Sequence, residues 1–216
     1  MRRLVMTCAI FFVAGLGMLS SARAHPHVWI TVRSEAQFNL EGQVVAIRHH
    51  WTFDDMYSSF IISNLGSDGA IIAEADLLPL AKESVEALAE YDYFTFSQVS
   101  GKPIAFIKPQ DFSMTYESKQ QVATLHFTLP LAAPIAALPA FSFAVFDPTY
   151  YVAFTFDKGE AAQIMGAPLG CGISLDRPSQ LSAKDQEALS RAASENLSPG
   201  EDLAFKLADR AIITCR

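Results

Sequence analysis

Two segments near the start of the chain constrain its fold more than any other feature. Residues Val28–Phe38 and Gln43–Phe53 are rich in β-branched and aromatic side chains, and residues 39–42 between them are typical of a turn. Such segments predict two strands that pair as an antiparallel hairpin. Alternation along the second strand places His49 on one face and His50 on the other.

Helical patterns follow this hairpin. Asp54 is a plausible cap for a helix over residues 56–65, and residues 74–91 have the periodicity of an amphipathic helix. From Tyr93 onward, short β-rich segments alternate with turn residues, a spacing typical of a sandwich or barrel. We expect strands near residues 94–99, 104–107, 112–117, 122–129, 141–146, 151–156 and 172–175, a helix at 182–194 capped by Ser182, and a last strand within 204–214.

The predicted fold is therefore α+β and mainly β. It is an antiparallel β-sandwich or open barrel with a helical insertion at residues 54–91 and a C-terminal helix. No repeat or long linker divides the chain, so residues 25–216 are expected to form a single domain.

The first residues have the pattern of a secretory signal peptide. Arg2 and Arg3 precede an apolar stretch at residues 4–19, and Ala22-Arg23-Ala24 has the A-x-A form of a cleavage site. We expect residues 1–24 to be removed, which predicts a periplasmic protein with no membrane anchor after cleavage. The mature chain would then begin at His25.

The net charge of the chain bears on the kind of partner that it can bind. The chain has 16 Lys and Arg against 23 Asp and Glu, and cleavage would remove three of the basic residues. This acidic balance argues against a nucleic-acid partner, whose phosphates require basic side chains.

Two cysteines, Cys171 and Cys215, remain after cleavage, and in an exported protein they predict a disulfide. The alternative is a pair of thiolate metal ligands.

Paired histidines are the strongest chemical signal. A terminal His25 would offer a metal ion its α-amine and its imidazole, and His27 would add a third nitrogen. Pro26 lacks the amide N–H that a square-planar N-terminal copper or nickel site requires. Further ligands must therefore come from elsewhere, and His49 and His50 are the candidates. His126 is flanked by Leu125 and Phe127 in a strand and is expected to be structural.

Two carboxylates are candidates to complete the site. Asp54 follows the second strand directly, and Asp147 begins the segment Asp147-Pro148-Thr149. The alternative for Asp147 is a purely local role as the side-chain acceptor of a turn. A site of imidazoles, an amine and a carboxylate suits zinc, nickel or copper, and the sequence does not choose among them.

Common catalytic and nucleotide-binding motifs are absent from the sequence. It contains no G-x-S-x-G, P-loop, G-x-G-x-x-G or H-E-x-x-H pattern. We therefore expect no enzymatic activity, unless a bound metal supplies it.

Several motifs together resemble one bacterial family. They are His25-Pro26-His27-Val28-Trp29-Ile30, Trp51-Thr52-Phe53-Asp54-Asp55-Met56-Tyr57-Ser58, Glu90-Tyr91-Asp92-Tyr93-Phe94, Asp147-Pro148-Thr149-Tyr150, Gly170-Cys171 and Cys215. The chain resembles the uncharacterised periplasmic components attributed to ABC-type transport systems, domain of unknown function one thousand and seven. The resemblance implies an accessory protein of nickel/cobalt-type or zinc transport systems, with an inner-membrane metal transporter as partner and no established reaction.

Three hypotheses follow for the function. The first is a periplasmic accessory protein that binds a transition metal and serves a membrane metal transporter. The second is a metal-free β-sandwich that acts as an interaction or assembly module. The third is a copper-dependent oxidoreductase that uses the N-terminal histidine.

Overall fold

The structure is a computed structural model of the 216-residue chain. It describes residues 27–63, 65, 72–109, 111–137, 140–149, 151–177, 182–195 and 201–216. The predicted signal peptide and His25 lie outside the described residues.

Eleven strands and four helices make up the described chain. In chain order they are β1 (Val28–Phe38), β2 (Gln43–Phe53), α1 (Asp55–Ser63), α2 (Glu74–Leu88), β3 (Thr95–Val99), β4 (Lys102–Ile104), β5 (Asp111–Glu117), β6 (Val122–Ala136), β7 (Phe141–Val145), β8 (Val152–Phe156), β9 (Ala162–Met165), β10 (Cys171–Asp176), α3 (Ala183–Glu195), α4 (Glu201–Leu207) and β11 (Arg210–Cys215). A 3-10 segment, Ala89–Phe94, joins α2 to β3. None of the helices in the described ranges has the length and apolarity needed to cross a bilayer.

The larger sheet is built on the predicted hairpin. Its strand order is β5-β6-β2-β1-β8, and β9 also pairs with β1. The turn between β1 and β2 is closed by the Asn39 side chain, whose Oδ1 accepts a hydrogen bond from the Gln43 N–H at 2.8 Å. Gly42 has a φ of +73° there, a conformation that glycine adopts without steric cost. β8 and β9 run parallel to β1, which differs from the expected all-antiparallel arrangement.

The smaller sheet is antiparallel throughout, in the order β10-β11-β7-β3-β4. The predicted disulfide between Cys171 and Cys215 is confirmed, and it joins residues that face each other on β10 and β11. The predicted last strand is shorter than expected, because α4 occupies the first part of that segment.

One hydrophobic core lies between the inner faces of the two sheets. Val32, Trp51 and Phe127 of the larger sheet and Phe143 and Ile213 of the smaller sheet are all almost completely buried in it. Helix α2 contributes Leu77, Ala81 and Val85 to the same core and packs beside β5. The predicted class, α+β and mainly β, is confirmed as two sheets with helices and no closed barrel.

Candidate functional site

The outer face of the larger sheet carries a row of polar side chains that crosses four strands. Ser113 of β5, His126 of β6, His50 of β2 and Arg33 of β1 lie opposite one another in successive strand pairs. Side chains at such positions project from the same face of a sheet. Two histidines that are 76 positions apart in sequence thereby become direct cross-strand neighbours.

The two imidazoles of this row are in contact. The Nδ1 atoms of His50 and His126 are 2.6 Å apart. On its other side, His126 places Nε2 at 2.9 Å from the Thr115 hydroxyl, and His50 places Nε2 at 3.5 Å from Glu35 Oε1. The four side chains form a continuous chain across the sheet, which we name the histidine-pair site: Glu35, His50, His126 and Thr115.

The Glu35 carboxylate fixes the order of protons along this chain. It accepts hydrogen bonds but cannot donate them when ionised, so it favours a proton on Nε2 of His50. His50 Nδ1 then accepts, and His126 Nδ1–H is the donor between the rings. This leaves Nε2 of His126 to accept from the Thr115 hydroxyl, and every polar atom in the chain has a partner.

An open cleft of about 310 Å³ gives access to the pair. Arg33 and Glu160 form an ion pair of 3.6 Å at its wall. The lining residues are Arg33, Ser34, Glu35, His50, His126, Glu160 and Gln163.

Both imidazoles of the pair are held neutral. Burial is the main reason that the pKa of His126 is lowered to about 4. A proton on His50 would act in the same direction, as do the charges of Arg48 and Arg33. Burial also lowers the pKa of His50, although the nearby Glu35 carboxylate opposes this effect. Lone pairs on these rings are therefore available at neutral pH.

His49 lies on the opposite face of β2 and is fully buried between the sheets. Its Nδ1 is 2.9 Å from the Ser34 hydroxyl, and its Nε2 is 3.2 Å from the Thr95 hydroxyl of the smaller sheet. Burial, with a smaller contribution from His50, lowers the pKa of His49 to about 3. The Nδ1 contact therefore lies within the larger sheet, and the Nε2 contact joins the two sheets.

The structure does not bring His27 together with His49 and His50, and His25 lies outside the described residues. His27 is exposed at the start of β1, where its ring centroid lies 4.6 Å from that of Tyr151. His50 faces Arg33, six residues further along β1. At 3.3 Å per residue this is a separation of about 20 Å along the strand. The reason is that β2 continues to Phe53, so His49 and His50 lie in the middle of the hairpin.

The two predicted carboxylate ligands both hold local backbone. Asp54 accepts hydrogen bonds from the N–H groups of Trp29 and Tyr57, each at 2.8 Å, which confirms its role as the cap of α1. Asp147 is almost completely buried at the end of β7. Its Oδ1 accepts from the N–H and hydroxyl of Thr149, each at 2.7 Å, and its Oδ2 accepts from the Val152 N–H at 2.9 Å.

Replacing Asp147 by alanine should lower the free energy of unfolding by about 2–3 kcal/mol, because three hydrogen bonds to an almost completely buried, charged acceptor are lost. Urea unfolding measures this loss. Asp157→Ala is the matched control, since Asp157 also accepts two backbone N–H bonds, but in a loop that is exposed to solvent. Its loss should be clearly smaller. Equal losses in the two variants would contradict the structural role of Asp147.

No three His, Cys, Asp or Glu side chains in the described ranges are grouped to hold a metal ion. The histidine-pair site is where two imidazole nitrogens meet. Sequence reasoning misses His126, predicted to be structural, and Glu35. The sequence feature that could have identified His126 is the alternation along β6. It places His126 on the outer face with Thr124 and Thr128, whereas Leu125 and Phe127 point into the core.

Comparison with known proteins adds a family but no activity. The family described as "Protein of unknown function (DUF1007)" matches residues 10–215. An uncharacterised protein of Haemophilus influenzae is 24% identical over 202 residues, which cover 93% of this chain and 96% of that protein.

Proposed function

Because the chain belongs to the DUF1007 family of proteins of unknown function, whose name assigns no activity, we propose a function from the chain's own residues. The protein is a periplasmic accessory protein that binds a transition-metal ion at the histidine-pair site and exchanges it with a membrane metal transporter. The observation that carries this proposal is the pair of Nδ1 atoms of His50 and His126, which face each other at 2.6 Å in an open cleft.

A metal ion can take the place of the proton between the rings without any change in net protonation. The His126 proton moves from Nδ1 to Nε2, where the Thr115 hydroxyl becomes its acceptor. His50 keeps its Nε2 proton directed at Glu35, the carboxylate–histidine arrangement that orients metal ligands. With metal–nitrogen bonds of about 2.0–2.1 Å and tetrahedral angles, the two Nδ1 atoms need a separation of roughly 3.3 Å. The rings therefore have to open by less than 1 Å.

Two protein ligands leave the remaining coordination positions to water or to a partner. Such an incomplete set suits an ion that must leave again, whereas structural metal sites are usually closed by four protein ligands. Neutral imidazoles favour zinc, nickel or copper. Arg33 and Arg48 beside the pair disfavour a cation, which supports reversible rather than very tight binding.

The exported location rests on the leader pattern at residues 1–24 and is supported by the disulfide, since disulfides persist in oxidising compartments. His25 and His27 remain predicted ligands for a second position at the mature terminus. The interaction-module and copper-oxidoreductase hypotheses make different predictions in the experiment below.

Isothermal titration of the mature protein with Zn²⁺, Ni²⁺ and Cu²⁺ tests the proposal. At least one ion should bind, and His50→Ala combined with His126→Ala should weaken its binding by about 100-fold or more, as expected for the loss of both ligands. The matched control is Thr52→Ala combined with Thr124→Ala. These residues form the next cross-strand pair on the same face, with hydroxyls 2.9 Å apart, and their loss should leave affinity unchanged.

A second double variant, His25→Ala with His27→Ala, distinguishes a metal site at the mature terminus from the histidine-pair site. If it removes binding while the His50/His126 variant retains it, the site is at the terminus and the histidine-pair proposal is wrong. Complete absence of binding favours the interaction module. Oxygen- or peroxide-dependent turnover with copper favours the oxidoreductase.

A further inference from the structure

A second cavity, of about 370 Å³, opens beside the smaller sheet. It lies where β3 and β4 meet α4 and the 3-10 segment before β3, and it is separate from the histidine-pair site. Its size falls in the range of sites for small organic molecules, roughly 300–1,000 Å³. The residues that define its chemistry are Asp92, Phe96, Gln98, Phe106, Phe146 and Phe205.

The walls of this cavity are aromatic. Phe96 of β3 and Phe146 at the end of β7 have ring centroids 4.5 Å apart, and Phe205 of α4 meets Phe146 edge-on at 6.0 Å. Phe96 and Phe205 are only partly buried, although they pack against the small apolar cluster under α4. An aromatic guest would complete their packing, because offset and edge-to-face ring pairs are favourable.

Asp92 is the one charged residue among the described residues that line the cavity. Asp92 is exposed, and its carboxylate makes neither a hydrogen bond nor an ion pair with the described part of the chain. Lys and Arg do not occur among the described residues that line the cavity. Arg210, which packs over the Phe205 ring at 5.1 Å, is itself paired with Asp176 at 3.1 Å. The charge of the cavity therefore complements a cation.

The backbone that presents Asp92 is strained. Asp92, Tyr93 and Phe94 have φ values of 50°, 53° and 46°, so three consecutive residues other than glycine are in the left-handed region. Local bonds hold them there: Phe94 O accepts from the Phe146 N–H at 3.0 Å, and Tyr93 O accepts from the Thr95 hydroxyl at 2.9 Å. Such strain concentrates at ligand-binding sites, where the surrounding structure maintains it.

From these observations we propose that the cavity binds a small aromatic amine, with its ring among Phe96, Phe146 and Phe205 and its ammonium group on Asp92. The proposal is independent of metal binding.

A protein-observed NMR titration of the metal-free mature protein tests this inference with three probes: tryptamine, the neutral 3-methylindole and the anionic indole-3-propionate. Tryptamine should bind with a Kd on the order of 1 mM or below and shift the amide resonances of Phe96 and Phe205. The other two probes should bind at least about tenfold more weakly, because a charge-assisted hydrogen bond is lost. Equal binding of 3-methylindole, or no binding of tryptamine, would overturn the proposal.

Variants of the 3-10 segment make the test specific. Asp92→Asn keeps the shape and tolerates the left-handed conformation, and it should weaken tryptamine binding about tenfold or more. Asp92→Gly should do the same while unfolding at an equal or higher temperature, since glycine adopts this φ freely. Glu90→Gln removes a carboxylate from the same segment but outside the cavity, and it should leave affinity unchanged. An equal loss of tryptamine affinity in the Glu90 and Asp92 variants would show that the ligand is attracted only by the general negative charge of the segment. It would contradict the role of Asp92 as the group that binds the ammonium.

Discussion

Replacing Cys171 and Cys215 together by serine is expected to lower the free energy of unfolding by about 4 kcal/mol. The disulfide closes a loop between residues 44 positions apart, and its removal restores conformational freedom to the unfolded chain. It also joins β10 to its sole neighbour in strand order, β11, so the edge of the smaller sheet should loosen first. Urea unfolding of native and variant protein without reductant measures the loss.

Reductant provides the control for this prediction. Adding it to the native protein should reproduce the shift of the double serine variant, and adding it to the variant should change nothing. A shift below about 1 kcal/mol in both experiments would mean that strand pairing alone holds β10 in place.

Acid should destabilise the folded protein through His49 at a higher pH than that at which the carboxylates of the protein become protonated. In the unfolded chain an imidazole binds a proton near pH 6.5, whereas burial lowers the pKa of folded His49 to about 3. The stabilising effect is complete above pH 6.5 and is lost as the pH falls towards 3, because the unfolded state then binds the extra proton. The expected loss from this residue is about 3 kcal/mol by pH 4.5, and His126, whose pKa burial lowers to about 4, adds a loss in the same direction.

Urea unfolding between pH 7.5 and 4.5 measures this slope. His49→Gln should be less stable at neutral pH but show a clearly flatter dependence, since an amide does not titrate. If His49→Gln retains the full slope, then His49 is not the group that controls acid stability.

Local patterns predicted the elements of this fold well. The bounds of β1 and β2 agree with the alternation of their side chains, because one buried face imposes a period of two residues. The caps of α1 and α3 were also predictable, since Asp54 and Ser182 each accept an N–H bond from the first turn. The disulfide followed from the number of cysteines in a chain with an export signal pattern.

Other features depend on neighbours that are distant in sequence. β6 continues to Ala136, beyond the expected end at residue 129, and the register of its pairing with β2 shifts between Val44 and Ala46. His126 gains its significance only from its position opposite His50, which is set by the register of β2 with β6. Nothing in the local sequence of either strand encodes that register, so the candidate site was visible only in part.

The position of β1 in the larger sheet has a consequence for the order of folding. β1 pairs with β2 immediately after it, but its other edge is filled by β8 and β9, where Val28 meets Val152 and Ser34 meets Ala162. An emerging or truncated chain that ends before residue 152 would therefore expose one full edge of β1, a template for pairing with other chains. Contacts of such long range also slow folding. Truncation before residue 152 should thus cause aggregation rather than a smaller folded domain.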